Sequence, residues 1–416
     1  MSVACVLADV VKRGYLMKQD RVSVDHQRDQ APRLLFVANV SFSFIHNRLA
    51  LAQAAQAAGY EVHVATRVWK AEDRERIQNA GIQLHPIEIG RGDSGLLYDL
   101  RSIWYLRRLY RRLRPDLVHH LAMKPIVFGG LVARFSGVRL VVQAFTGLGY
   151  AFVRGGAFSA LRRKLIILAL RAGCRRANTI AILQNTADIE ELIAERVIRR
   201  EQAVLVRGSG VAVDGIDVRA ERAGIVRVVL LGRMLREKGV EEYVGAADEL
   251  HARGVTAEFL LAGPADPTNP GGLPLERLND WTSSGVVKYL GFVQDVPNLF
   301  SSCHIICLPS YYREGLPKSL VEAAACGRAI VTTDHPGCRD VVQDGVNGLL
   351  VPTRDVPSLA AALKRLIDDA DLRHQFGAAG RELAASEFDL NIIVEQTLGV
   401  YEKLLKQDVP VRTVAS

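Results

Sequence analysis

Short apolar runs alternate with longer amphipathic stretches along this chain, and after one polar interruption the alternation begins again. Residues 34–40 read as a strand, followed by an Ala- and Leu-rich helix to Ala58, with further strands at 61–66, near 117–120 and at 139–144. That combination confines the chain to a doubly wound parallel sheet. Residues 207–224, rich in Gly, Asp and charge, interrupt it as a linker; the alternation resumes at Ile225 and runs to about Val351. Two helices follow, then a last one over 390–405. A chain of 416 residues has room for two such domains, each with its own core.

Two strand ends carry chemistry. The run 228–231 leads into Gly232-Arg233-Met234-Leu235-Arg236-Glu237-Lys238-Gly239, with a helix expected from near Val240. Arg233 and Lys238 therefore flank a strand-to-helix turn, where a planar guanidinium and a flexible ammonium can grip one diphosphate. The run 305–309 leads into Glu314-Gly315-Leu316-Pro317-Lys318-Ser319-Leu320-Val321-Glu322. Glu314 then lies at a strand's C-terminal end, where open α/β sheets bind ligands. Pro317 suits the first turn of the next helix, whose N–H groups attract an anion with an effective charge of roughly +0.5. Carboxylates that accept hydroxyl hydrogen bonds, beside N–H groups that hold phosphate, fit a sugar nucleotide. Taken singly, each motif also has an ordinary reading: a solvated basic loop, and Glu residues that favour a helix dipole or face water.

Together, about 80 residues apart in one α/β half, the two motifs resemble the C-terminal domain of the retaining glycosyltransferases of family 4, which have the GT-B fold. Leu261-Ala262-Gly263-Pro264, Tyr289-Leu290-Gly291-Phe292-Val293 and the stretch from Asp344 to Pro352 follow in the expected order. The resemblance covers roughly residues 33–405. It implies two Rossmann-like domains with parallel sheets and an interdomain cleft, and a C-terminal helix crossing back to the first domain. The implied division is an N-terminal extension over 1–32 without clear periodicity, an acceptor-binding domain over 33–207, a nucleotide-sugar-binding domain over 208–388 and the crossover helix over 389–406. By the same resemblance Glu314, Arg233 and Lys238 are catalytic, and Gly232, Val293, Gly315, Leu316, Pro317, Lys318 and Glu322 bind the donor. Glu314 would meet the hexose hydroxyls, Glu322 the ribose hydroxyls, and the backbone near Val293 the base. The implied reaction moves a hexosyl or N-acetylhexosaminyl group from a nucleoside diphosphate sugar, UDP in the first instance, with retention. It needs no metal and no cofactor; the nucleotide sugar is a co-substrate.

The first half of the chain is basic. Residues 1–200 hold 31 Lys/Arg against 16 Asp/Glu and residues 201–416 hold 22 against 29, which points to an anionic partner for the first half. Ile103, Leu106, Tyr110 and Leu113 form a helical apolar stripe, with Arg107, Arg108, Arg111, Arg112 and Arg114 opposite. Residues 159–176 cluster Arg162, Arg163, Lys164, Arg171, Arg175 and Arg176 around an apolar block, 165–170. A solvated charged face accounts for either helix. So does reversible attachment to an anionic bilayer, at roughly 1 kcal/mol per basic residue, without insertion. Nucleic acid is not an expected partner, since no binding motif for it is present.

The segments His119-His120-Leu121-Ala122-Met123-Lys124-Pro125 and Phe145-Thr146-Gly147-Leu148-Gly149-Tyr150 look like the subgroup of family 4 that extends undecaprenyl-diphosphate-linked sugars. That resemblance implies that His119, Lys124, Gly147 and Gly149 bind the acceptor, Lys124 meeting its diphosphate. It also implies a cytoplasmic enzyme, peripheral on the inner face of the membrane, serving glycan assembly. The two histidines are adjacent, so strand alternation aims only one of them at a cleft. The chain departs from many relatives after its first strand, where Asn39-Val40-Ser41-Phe42-Ser43-Phe44 contains no Gly-rich loop and His46-Asn47-Arg48 stands in for a His-Arg pair.

Other classes fit less well. Six scattered cysteines form no disulfide framework, and Cys303 and Cys307 lie on an apolar strand without metal-binding companions. No charge-free apolar run reaches the ~18 residues of a membrane-spanning helix. Asp369-Ala370-Asp371 matches a metal-holding motif of another glycosyltransferase class but sits in a polar helical stretch, as a solvated surface would. A soluble GT-B transferase, a nucleotide-sugar epimerase and a non-catalytic sugar-nucleotide-binding subunit remain as alternatives.

Overall fold

In a computed structural model the described residues are 31–89, 96–149, 157–267 and 269–407. Nearly all of the expected N-terminal extension, and Tyr150 of the glycine-rich motif, lie outside them. The chain divides into two compact units, one made of residues up to Ser209 together with those from Asn391 onward, the other Gly210–Leu390.

In the first unit the order is β1 (Arg33–Val40), α1 (Ser41–Ala57), β2 (Glu61–Arg67), α2 (Ala71–Asn79), β3 (Gln83–Pro86), α3 (Leu96–Leu113), β4 (Leu117–Leu121), α4 (Met123–Phe135), β5 (Leu140–Ala144), α5 (Ala157–Cys174), β6 (Thr179–Leu183), α6 (Thr186–Ala194) and β7 (Ala203–Leu205). The strands pair in parallel in the order β3-β2-β1-β4-β5-β6-β7. Period-2 alternation sends Leu35, Val37, Val118 and Val141 to one face, where they pack on Leu106 and Tyr110 of α3 and Val132 and Ala133 of α4. On that same face Ala181 and Leu183 meet Ile167 and Leu170 of α5. The opposite face, with Leu34, Phe36, Val64 and Val142, is covered by α1, α2 and the C-terminal helix Leu390–Gln407. Ile393, Leu398, Tyr401 and Leu404 of that helix enter this core, so a segment distant in sequence completes the first unit.

The second unit runs β8 (Val226–Leu231), α7 (Val240–Ala252), β9 (Ala257–Ala262), α8 (Leu275–Ser283), β10 (Lys288–Tyr289), α9 (Val296–Ser301), β11 (Ile305–Leu308), α10 (Lys318–Ala325), β12 (Ala329–Thr333), β13 (Gly348–Val351), α11 (Val356–Asp368) and α12 (Ala370–Glu387), after which the C-terminal helix is α13. Its parallel sheet has the order β10-β9-β8-β11-β12-β13. Helix starts are set locally. Asp295, Asp355 and Asp369 accept the N–H of Asn298, Ser358 and Leu372, capping α9, α11 and α12. Asp369 of the Asp-x-Asp motif is thus a helix cap. In both sheets the strand order reverses once, between β1 and β4 and between β8 and β11. A crevice opens at the C-terminal ends of such neighbours, because the loops beyond them diverge.

Candidate active site

The loops after β8 and β11 carry the two motifs and leave neighbouring strands at the second unit's switch point. Backbone bonds stitch them together: the Glu237 carbonyl accepts the N–H of Tyr311 at 2.9 Å and of Tyr312 at 3.0 Å, and the Ser310 hydroxyl at 3.2 Å. A 3-10 turn, Arg236–Lys238, ends at Gly239 with φ +75°. A Cβ there would lie 2.1 Å from the Pro309 carbonyl oxygen, so only glycine lets the start of α7 meet the end of β11. This approach turns the Lys238 ammonium directly onto the Glu314 carboxylate, with side chains only 13% and 14% exposed. The Ser310 hydroxyl also lies 3.2 Å from the same Glu314 oxygen, sharing its one proton between that oxygen and the Glu237 carbonyl, and the Ser310 carbonyl accepts the Thr333 hydroxyl at the end of β12.

Arg233 and Lys238 flank one turn but take different partners. The Arg233 guanidinium donates to Asp266, beyond β9, at 2.9 Å, and it is nearly half exposed. Gly232 continues the β8–β9 pairing, its N–H donating to Ala262 at 2.9 Å. Pro317 is the N-cap of α10 and not its first helical residue; its carbonyl accepts the N–H of Leu320 and Val321. The N–H groups of Lys318 and Ser319 therefore precede the first intrahelical bond, where an anion meets the positive end of the helix. Glu322 lies one turn on, 3.9 Å from the Lys318 ammonium. Burial pushes its carboxyl pKa up, and Lys318 draws it partly back. Gly315 and Leu316 connect Glu314 to the cap, and Val293, half-buried beyond β10, packs on the unit's core.

Three residues that sequence reasoning passed over complete this corner. Asp266 and Ser310 hold Arg233 and Glu314, as described. Gly337, with φ +87°, lies beyond β12, and a Cβ there would stand 2.7 Å from the Gly315 carbonyl oxygen and 2.8 Å from that of Glu314. Its only signal in the sequence was its place after the strand next to β11. Beside it the buried Cys338 thiol, facing Glu314, is pushed up to about 12, which makes it inert.

The acceptor-side residues of the first unit fare unequally. Lys124, at the start of α4, pairs with Asp99 at 3.2 Å and lies 6.0 Å from the centre of the Phe128 ring. Gly147 and Gly149 follow β5 with φ +115° and +51°, and Ala122, before α4, also has positive φ. These residues sit at the ends of neighbouring strands, next to the first switch point. His119 does not join them. It is 1% exposed, and its Nδ1 pairs at 2.5 Å with the hydroxyl of Tyr401 on α13. His120 points to the other face and is equally buried, between the Tyr110 hydroxyl at 2.7 Å and Gln143 at 2.8 Å. Alternation does separate the pair, but helices cover both faces, so each imidazole ends in a core. The structure corrects the expectation for His119: its side chain locks the last helix and is not at the surface.

Two Rossmann-like units, each a parallel sheet with one switch point and helices on both faces, are the architecture of the GT-B fold. Comparison with known proteins agrees. Residues 33–185 match the glycosyl transferase 4-like family and residues 226–369 the glycosyl transferases group 1. Over 387 residues the chain is 27% identical to the N,N'-diacetylbacillosaminyl-diphospho-undecaprenol alpha-1,3-N-acetylgalactosaminyltransferase of Campylobacter jejuni, covering 90% of this chain and 99% of that protein. It is 31% identical over 289 residues to the alpha-D-kanosaminyltransferase of Streptomyces kanamyceticus, covering 66% and 73%. In fold it is similar to Anabaena HepE in complex with UDP and glucose, with a TM-score of 0.72 at 17% identity over 89% of this chain and 99% of that one. The chain belongs to the group 1, family 4-like glycosyltransferases and is a hexosyltransferase.

Proposed function

We propose that this enzyme moves a hexosyl or N-acetylhexosaminyl group from a UDP-sugar to a sugar carried on a lipid diphosphate. Transfer proceeds with retention and without a metal, at the inner face of the cytoplasmic membrane. The observation that carries this reading is the Lys238–Glu314 pair beside the start of α10. In the reaction the bond between the anomeric carbon and the β-phosphate oxygen breaks, and its electrons leave with the nucleotide. Lys238, Arg233 and the N–H groups at Lys318 and Ser319 meet the charge that develops; fixed donors of this kind contribute a few kcal/mol each. Glu314 accepts hydroxyl hydrogen bonds from the hexose and Glu322 from the ribose. Hydroxyl donors favour the ionised form of Glu322 and so offset its burial. The departing phosphate oxygen takes the proton of the acceptor hydroxyl, and the new bond forms on the same face of the sugar, so no separate base is required.

On the acceptor side the reading rests on Lys124, Gly147 and Gly149, and on a relative whose name places its acceptor on undecaprenol. The test is incubation of the full chain with UDP-N-acetylhexosamines and an undecaprenyl-diphosphate-linked sugar, with and without a chelator. An α-linked product by NMR from an α-linked donor, at an undiminished rate in chelator, is expected. Release of UDP that does not depend on acceptor, or an inverted product, would overturn the proposal.

A further inference from the structure

Helices α3, α4 and α5 lie side by side on one face of the first sheet, α4 between the other two. Their outer surface is unusual for a chain in water. Leu161, Leu165 and Leu168 of α5 are 57%, 59% and 62% exposed, while Ile167 and Leu170 fill the core beneath them. At about 100° per residue the three leucines fall within roughly 60° of arc, one outward stripe where a water-facing helix carries polar side chains. On α3, Leu100 and Trp104 are likewise 52% and 54% exposed, one turn apart.

The same surface is rimmed with cations. Arg107, Arg108 and Arg111 point outward from α3 and form no ion pair among the described residues; Arg108 lies over the Trp104 ring at 5.6 Å. Lys164 and Arg175 are exposed on one flank of the leucine stripe. Three other basic side chains near α5 serve the fold instead: Arg163 is held by Glu191 and Glu195, Arg171 by the Glu195 carbonyl and Arg176 by the Val138 carbonyl. Basic side chains bordering an apolar stripe are what an in-plane helix offers to headgroups and acyl chains together. A nucleic acid would gain nothing from the leucines.

We propose that the α3–α5 face is the membrane-docking surface of this enzyme: its leucine stripe and Trp104 enter the acyl boundary of an anionic phospholipid bilayer while the arginines meet the headgroups. This rests on the reading that the acceptor is lipid-borne, and it replaces attachment by charge alone with shallow insertion. The distinction is measurable, because screening removes attraction between charges but not burial of apolar side chains.

The test is sedimentation of the full chain with vesicles of phosphatidylglycerol or phosphatidylcholine at 0.1 and 0.5 M salt. Wild type is expected on phosphatidylglycerol vesicles, with a substantial bound fraction surviving 0.5 M salt. The triple variant Leu161→Ser, Leu165→Ser, Leu168→Ser is expected to partition at least tenfold more weakly, while its transfer to a short-chain acceptor in detergent stays within twofold of wild type. Unchanged partitioning of the triple variant, or complete release of wild type at 0.5 M salt, overturns insertion. Conversion of a wild-type dimer to a monomer by the same substitutions would instead assign the face to a second copy, and also overturns it. If vesicle binding behaves as expected but no lipid-linked acceptor is used, the acceptor reading fails and the docking surface stands.

Discussion

Replacing Gly337 with alanine tests whether the geometry of the Glu314 loop limits the reaction. Gly337 has φ +87°, and an L-residue in the left-handed region costs roughly 1–2 kcal/mol. For a unit of this size that is a fall in Tm of roughly 2–8 °C. The new Cβ would also stand 2.7 and 2.8 Å from the carbonyl oxygens of Gly315 and Glu314. Relaxing those contacts toward an ordinary C···O distance of about 3.3 Å pushes the loop back by about half an ångström. A misplacement of about 1 Å can lower turnover about a hundredfold, so half of that predicts roughly tenfold in kcat/KM, or about 1.4 kcal/mol of transition-state stabilisation. Gly345 supplies the control. It has φ +71°, but a Cβ there meets nothing within 4 Å. Both variants should melt a few degrees early, and only Gly337→Ala should lose about tenfold in kcat/KM for the nucleotide sugar, assayed well below either Tm. If the two variants turn over within twofold of each other, the loop position is not limiting and the reasoning fails.

Lys238→Ala should lower kcat a hundredfold or more, since one fixed donor to developing charge is typically worth about 3–4 kcal/mol, while circular dichroism shows an intact fold; near-normal turnover would remove Lys238 from the mechanism. Tyr401→Phe strips the hydroxyl from His119, whose Nε2 is already buried without a partner among the described residues, and should cost about 1–3 kcal/mol in denaturant unfolding with little change in kcat. Burial holds the folded-state pKa of His120 down to about 4, so the unfolded chain takes up a proton first as pH falls below about 6.5. Its contribution is complete above that pH and shrinks by about 2 kcal/mol at pH 5. His120→Gln should flatten the fall in stability between pH 7 and 5 by that amount, and parallel pH profiles for the two proteins would count against the assignment.

The fold was legible because its determinants are local. Apolar runs such as 34–40 and 305–308 report two covered faces wherever they pair, and the helices between them follow from spacing. The donor site was legible in part for the same reason: Gly232–Gly239 and Glu314–Glu322 are each contiguous, and each reads as a strand-end loop. What joins them is not local. Lys238 and Glu314 lie 76 residues apart, and their pairing depends on β8 and β11 being neighbours, which no periodicity discloses. Asp266 and Gly337 were missed on that account, since each acts on a loop from a different strand, whereas Ser310 reaches Glu314 within its own loop, four residues on.

The histidines and the leucines show the complementary failure. Period 2 says that His119 and His120 point apart; it does not say what covers each face, and here α13, the last of the described elements, reaches His119 through Tyr401. In α5 the block 165–170 is apolar all round, so composition cannot choose its inward side. Packing of Ile167 and Leu170 toward Ala181 and Leu183 makes the choice and leaves Leu165 and Leu168 outside. An apolar helix that a sheet buries on only one side keeps a second hydrophobic face. Water alone gives no reason for that face to persist beside arginines that have no ion pair among the described residues, whereas an anionic bilayer accounts for both at once.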